Sequence, residues 1–193
     1  MGSFVTLTLA KMGMSKISVY DDDTVEEHNM PNQFYPVEHT GRVKIESLHW
    51  VISTFAGLKI KTIAKQYTRY SPSHIIISAV DSIEARRAIW KIIKPHMFKK
   101  AGTALYIDTR MGGEYMRVFA VSKKADIPLY EKTLIREGEH LPCTAKTIVY
   151  NVVTVAGLVA YMIKAYLTKR GRFPQQIIFD MPTLNMQVFP YMK

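Results

Sequence analysis

The sequence predicts an α/β protein, built as a mixed sheet with helices on both faces. Three observations carry this. Short apolar runs rich in β-branched residues, at 17–20, 74–80 and 104–111, alternate with segments of helical spacing at 4–14, 41–56 and 84–98. The run at 74–80 is continuously apolar, as expected of a strand buried on both faces. Gly112-Gly113 joins 104–111 to a second strand pattern at 114–122 so tightly that the two strands must be antiparallel, which makes the sheet mixed.

In chain order, residues 4–14 form a helix with Val5, Leu9 and Met12 on its apolar side, and Gly13 is its stop signal. Strand 16–20 then runs into Asp21-Asp22-Asp23 and a loop with Asn29, Pro31 and Asn32. In open α/β sheets, ligands sit beyond the carboxyl ends of strands, where an acidic residue can accept hydrogen bonds from ribose hydroxyls. Asp21 has that position, and Asp23 lies two residues on. A helix from Thr40 or Gly41 to Ala56 presents Val43, Leu48, Val51, Ile52 and Phe55, and Gly57 ends it. Residues 60–67 alternate weakly, as an edge strand does, and 71–73 are a turn. Strand 74–80 ends in Asp81-Ser82. Asp81 is a candidate N-cap for helix 84–98, whose first turns carry Arg86 and Arg87.

Strand 104–111 ends in Asp108-Thr109-Arg110, and a short helix follows at 128–135. The longest helix spans 145–169, with an almost wholly apolar centre at 148–163. That run is shorter than the ~20 residues of a membrane span. It also contains Asn151, Thr154 and Gly157, so it fits a buried helix packed on the sheet or at a dimer interface. Residues 176–179 and 186–189 form a last hairpin.

A length of 193 residues suits one domain over 1–193. With 48% hydrophobic and 22% charged residues, the chain is not of the disordered class. A single cysteine, Cys143, excludes an intrachain disulfide and a Cys-only zinc site, so no zinc is expected. Residues 1–14 lack a signal-peptide layout, which makes a cytoplasmic location the expectation. The net charge of +10 and pI near 9.6 fit a solvated basic surface first, and otherwise an acidic partner: nucleic acid, nucleotide or an acidic small protein. Basic clusters lie at Lys59, Lys61, Lys65 and Arg69, and at Lys91, Lys94, Lys99 and Lys100. No RNA-binding or helix-turn-helix signature accompanies them, so nucleic acid is the less favoured partner.

Asp21, Asp23, Val25, Asn29 and Gln33, followed by Gly41 and Lys44, form a D-x-D-x-V-x-x-x-N-x-x-x-Q run with G-x-x-K after it. This pattern resembles the ThiF/MoeB-type adenylyltransferases, bacterial relatives of ubiquitin-activating enzymes. The resemblance extends from Gly2 to about Phe189 and implies a Rossmann-like three-layer mixed sheet. In that family a strand and a Gly-rich loop ending in Gly-Ser precede the first helix. Only Gly2-Ser3 corresponds here, so the first strand and most of the phosphate loop are expected to be missing from the chain. The strands at 17–20 and 75–80 would then flank a slot of roughly 9–10 Å. Direct pairing, or a strand from another protomer, would close it.

The resemblance also implies ATP and Mg2+ as cofactors. Asp21 would bind the ribose, Asn29 and Lys44 would face the phosphates, and Asp81 would hold magnesium. Gly2, Ser3, Asp23 and Gln33 fall within the nucleotide motif. Asn32 stands where the family usually has Arg, so this position offers no charge to a phosphate. Cys143 falls where relatives carry a cysteine that forms an adduct with the activated small protein. A thiol at a helix N-terminus has a lowered pKa, and the alternative for Cys143 is an inert, partly buried cysteine. The implied activity is recognition or adenylation of the C-terminus of a small ubiquitin-like or sulfur-carrier protein by a homo-oligomer. The absent glycines and Asn32 favour an alternative, a catalytically impaired scaffold or heterodimer half. A third class, a basic nucleic-acid-associated protein, would bind DNA or RNA in a salt-sensitive way without need of Asp21 or Asp81.

Overall fold

A computed structural model of the chain describes residues 1–135, 149–169 and 173–190. As far as they are described, the residues group into two compact units: Met1–Tyr67 with Thr147–Tyr161, and Thr68–Lys146 with Met162–Lys193.

In the first unit, helix α1 (Gly2–Lys11) leads to strand β1 (Ser18–Tyr20), helix α2 (Lys44–Ala56) and strand β2 (Lys61–Ile63). β1 and β2 pair in parallel, Ser18 opposite Lys61 and Tyr20 opposite Ile63. Ala10 of α1, Leu48 and Ile52 of α2, and Ile60 form the apolar centre, and Leu7, Ile17, Val19 and Tyr35 pack against it. α2 starts at Lys44 rather than at Thr40 or Gly41. A Thr24–Val43 bridge and the bonds from Gly41 N–H to Val25 O and from Lys44 N–H to Asp23 O (both 2.8 Å) hold the preceding residues against the acidic loop instead. Gly41 takes a φ of +86°, open to glycine at little cost. Gly57 ends α2 in the left-handed conformation, as its position predicts.

In the second unit, β3 (Ile75–Ser78), α3 (Ile83–Ile93), β4 (Leu105–Gly112), β5 (Tyr115–Val121), α4 (Ile127–Ile135), β6 (Pro174–Asp180) and β7 (Asn185–Pro190) follow one another. The sheet order is β3-β4-β5-β6-β7. β3 and β4 are parallel and the other pairs antiparallel, so the sheet is mixed as the Gly112-Gly113 turn requires. Burial is deepest along β4 and β5, where Leu105, Tyr106, Ile107, Val118 and Val121 are at 0% exposure. β3 lies at the sheet's edge, and Ile75, Ile76 and Ile77 are only half-buried, so its apolar run does not mark a strand covered on both faces. α3 stops at Ile93 and tightens into a 3-10 turn over Lys94–His96, because Pro95 cannot continue the helical hydrogen bonds.

β1 belongs to the two-stranded sheet and β3 to the five-stranded one, so direct β1–β3 pairing does not occur. Helix α5 (Val149–Thr168) is the single described helix long and apolar enough to cross a membrane, with a mean hydropathy of 1.4. Half of that apolar window is buried inside the protein, among it Val152, Val155, Val159 and Ile163.

Candidate functional site

The acidic loop after β1 is built as one hydrogen-bonded piece. Asp21, half-buried, accepts the Asp23 N–H on Oδ1 at 3.0 Å, which turns the chain at the strand end. Asp23, exposed, takes the Lys44 ammonium on Oδ2 at 2.7 Å. The Lys44 side chain is only 12% exposed. Asn29 is buried and its Oδ1 accepts the Glu26 N–H at 3.0 Å, closing a capping box over a 3-10 turn at Glu27–Asn29. Gln33 N–H returns to Asn29 O at 2.8 Å. Ser3, buried in the first turn of α1, accepts the Phe34 N–H on Oγ at 2.8 Å. Gly2 O accepts the Thr6 hydroxyl at 2.8 Å. Ser3, Asp21, Asp23, Asn29, Asn32, Gln33 and Lys44 therefore belong to one folded unit, the first, with the Asn29 side chain serving the loop's own backbone.

Burial pushes the Asp21 carboxyl above the usual carboxylate range, against the lowering pull of the Asp23 N–H and of Lys44. Tyr35 is a participant that the motif does not predict. Burial, and then the charges of Asp21 and Asp23, push its phenol well above the ordinary tyrosine value. The only signal for it in the sequence is its place two residues after Gln33. Among the described residues, Asp21, Asp22 and Asp23 also bring one carboxylate oxygen each within 4.8 Å of one another.

Asp81 lies in the second unit, between the end of β3 and α3. It is exposed, and the cap of α3 is Ser82, whose Oγ accepts the Ala85 N–H at 3.1 Å. The N-cap role expected of Asp81 thus falls to the next residue, and the Asp81 carboxylate is left to solvent. A single exposed carboxylate oxygen donor fits Mg2+, which keeps most of its waters and takes one or two carboxylates beside nucleotide phosphates. A half-buried carboxylate at a strand end likewise fits a ribose.

Behind Asp81 lies a buried polar network. Asp108, 0% exposed, accepts from Arg86 Nη1, from Arg110 Nε at 2.8 Å and from the Tyr130 hydroxyl at 3.1 Å. Arg110 also donates to Thr133 O and Oγ1, at 3.0 and 2.9 Å, and its guanidinium sits 4.4 Å from the centre of the Phe119 ring. Burial and the Asp108 charge push the Tyr106 phenol well above its ordinary value. Asp108-Thr109-Arg110 is visible in the sequence as a polar end to an apolar strand, but its partner Arg86 is not. Cys143 lies outside the described residues.

The sequence pattern of the ThiF family matches residues 1–193. The chain belongs to the ThiF family. No curated protein sequence matches it. Among solved structures, PaaA is similar over 99% of this chain and 69% of its own, with 16% identity and a TM-score of 0.71. Escherichia coli MccB with ATP is similar over 98% of this chain and 60% of its own, with 14% identity and a TM-score of 0.71. The same enzyme with MccA gives 14% identity and a TM-score of 0.72 over 98% of this chain and 60% of that one. The chain thus spans about 60% of the length of MccB. At these identities the likeness shows the fold, which is Rossmann-like and mixed α/β.

Proposed function

We propose that this ThiF-family domain binds ATP and recognises, for adenylation, the carboxyl terminus of a small peptide or protein. One observation supports it above the others: the residues of the nucleotide motif interlock in a single loop that leaves the half-buried Asp21 carboxylate at the end of β1. In this proposal Asp21 accepts the ribose hydroxyls. Lys44 leaves Asp23 for a phosphate, Gly2 and Ser3 lie at the helix start, and Asp81 takes magnesium. Bound magnesium would offset negative charge on the phosphates. Escherichia coli MccB has been solved with ATP and with MccA, which favours a peptide or small protein as the partner. A ubiquitin-like or sulfur-carrier protein is the finer form of the proposal, with Cys143 as a thiol for its activated end and a homo-oligomer as the working form.

A second reading keeps the fold with impaired chemistry. Asn32 favours it, since it is uncharged where the family's phosphate-facing Arg stands. Calorimetric titration with Mg-ATP tests nucleotide binding. Saturable binding that Asp21→Ala weakens about tenfold, some 1.4 kcal/mol, is expected; no binding would sink the proposal. Pyrophosphate exchange separates the two readings. We expect it to be weak or absent, and robust exchange abolished by Asp81→Ala would remove the impaired reading.

A further inference from the structure

The geometry points to Arg86 and Asp108 as positioning residues for Asp81, an inference that rests on the magnesium role proposed above for Asp81. Arg86, 4% exposed, stands one turn into α3 and uses its guanidinium in two directions. Nη1 donates to Asp108 Oδ1, and Nη2 donates to the backbone oxygen of Val80, the residue before Asp81. On the other side, Ser82 is tied into the α3 cap through Ala85 N–H. One strand position away, Thr109 Oγ1 donates to Ser78 O at 3.0 Å. The chain is thus held before and after Asp81, while the Asp81 carboxylate stays exposed and, among the described residues, has no hydrogen-bond or ion-pair partner.

Asp108 holds the other end of this clamp. In register it lies opposite Ser78 on β3, and it is oriented by Arg110 and Tyr130 as well as by Arg86. Burial of an ion pair is repaid only where further hydrogen bonds satisfy its remaining donors and acceptors. The Val80 oxygen meets that need for Arg86 Nη2, and because Val80 directly precedes Asp81, the bond that completes the buried pair also holds the turn. Only a planar fork with several donors can reach both the carboxylate and that carbonyl from one side chain. The clamp therefore converts the rigidity of the buried β4 into a fixed position for an exposed carboxylate, as the support of a metal ligand requires.

Arg86→Lys keeps the charge beside Asp108 but, with a single ammonium, gives up the fork. Amide hydrogen exchange is one readout. Exchange at Asp81, Ser82 and Ile83 should accelerate about tenfold, with β4 and β5 amides unchanged, because only the turn is released. Affinity for Mn2+ with adenylyl imidodiphosphate, a non-hydrolysable ATP analogue, is the other. It should fall about tenfold in Arg86→Lys and in Asp81→Asn, and no further in the double variant, since both act on one contact. Asp108→Asn, isosteric but without the charge that holds the guanidinium, should repeat the Arg86→Lys result. If Asp81→Asn weakens Mn2+–nucleotide binding and Arg86→Lys does not, the clamp is refuted while the metal role of Asp81 stands. If Asp81→Asn has no effect, both fall. Unchanged turn exchange in Arg86→Lys, or failure of both Arg86→Lys and Asp108→Asn to fold, assigns the pair to stability alone and overturns the inference.

Discussion

At the scale of single residues, Asp21 combines two demands that conflict. A ribose acceptor is best ionised, yet burial disfavours the ionised form and raises the carboxyl's folded-state pKa. A carboxyl so raised contributes stability below the unfolded carboxylate range, and that contribution is lost as pH rises through the folded value. At neutral pH, Asp21 therefore costs stability. Asp21→Asn keeps an oxygen for the Asp23 N–H while removing the charge. The variant should melt higher than the parent at pH 7, and the difference should shrink towards zero as pH falls below 4, the usual carboxylate range. Melting curves across that window check the sign. A variant that melts lower at pH 7 would show that Lys44 and the Asp23 N–H outweigh burial. The pattern fits a binding site held at some expense of stability.

At the scale of elements, the turn between β3 and α3 divides two jobs between neighbouring residues. Ser82 caps the helix, and Asp81 faces solvent. The two substitutions should therefore separate. Ser82→Ala removes the partner of the Ala85 N–H and should cost about 1 kcal/mol. Asp81→Ala touches no bond of the fold and should stay within about 0.5 kcal/mol of the parent. Urea unfolding of the two variants measures both. Equal losses would return the cap to Asp81 and weaken its case as a ligand. The same division explains why the sequence alone misassigned the cap: Asp and Ser are equally good cap residues, and only the chain's path decides which stands at the boundary.

At the scale of the whole molecule, charge is the dominant long-range feature. Lys and Arg total 26 against 16 acidic residues, for a net charge of +10. The more exposed Lys94–Glu131 pair has an ammonium–carboxylate distance of 2.6 Å. Exposed pairs of this kind contribute about 0–1 kcal/mol each and are weakened by salt. Self-repulsion of ten excess positive charges is weakened too, in the opposite direction. With few exposed pairs among the described residues against a large excess, repulsion should win. Raising sodium chloride from about 20 to about 200 mM should lift the melting temperature by a few degrees. A fall would show that ion pairs outweigh net charge in this protein.

Local pattern was enough to read the mixed α/β class and most element positions. Helical and strand periods, helix-stopping glycines such as Gly57 and the tight Gly112-Gly113 turn each act over a few residues, so their physics is written in adjacent letters. Tertiary contacts decided the rest. The start of α2 moved to Lys44 because residues 23–25, far away in sequence, bind the backbone before it. β3 reads as doubly buried, yet its burial depends on which strands lie beside it, a property no run of isoleucines carries. Tyr35 gains its part from packing on the apolar centre of the first unit, within reach of the Asp21 and Asp23 charges. The Arg86–Asp108–Arg110–Tyr130 network joins α3, β4 and α4 across 22 residues or more, and a buried charge can be recognised only once its partners are in place.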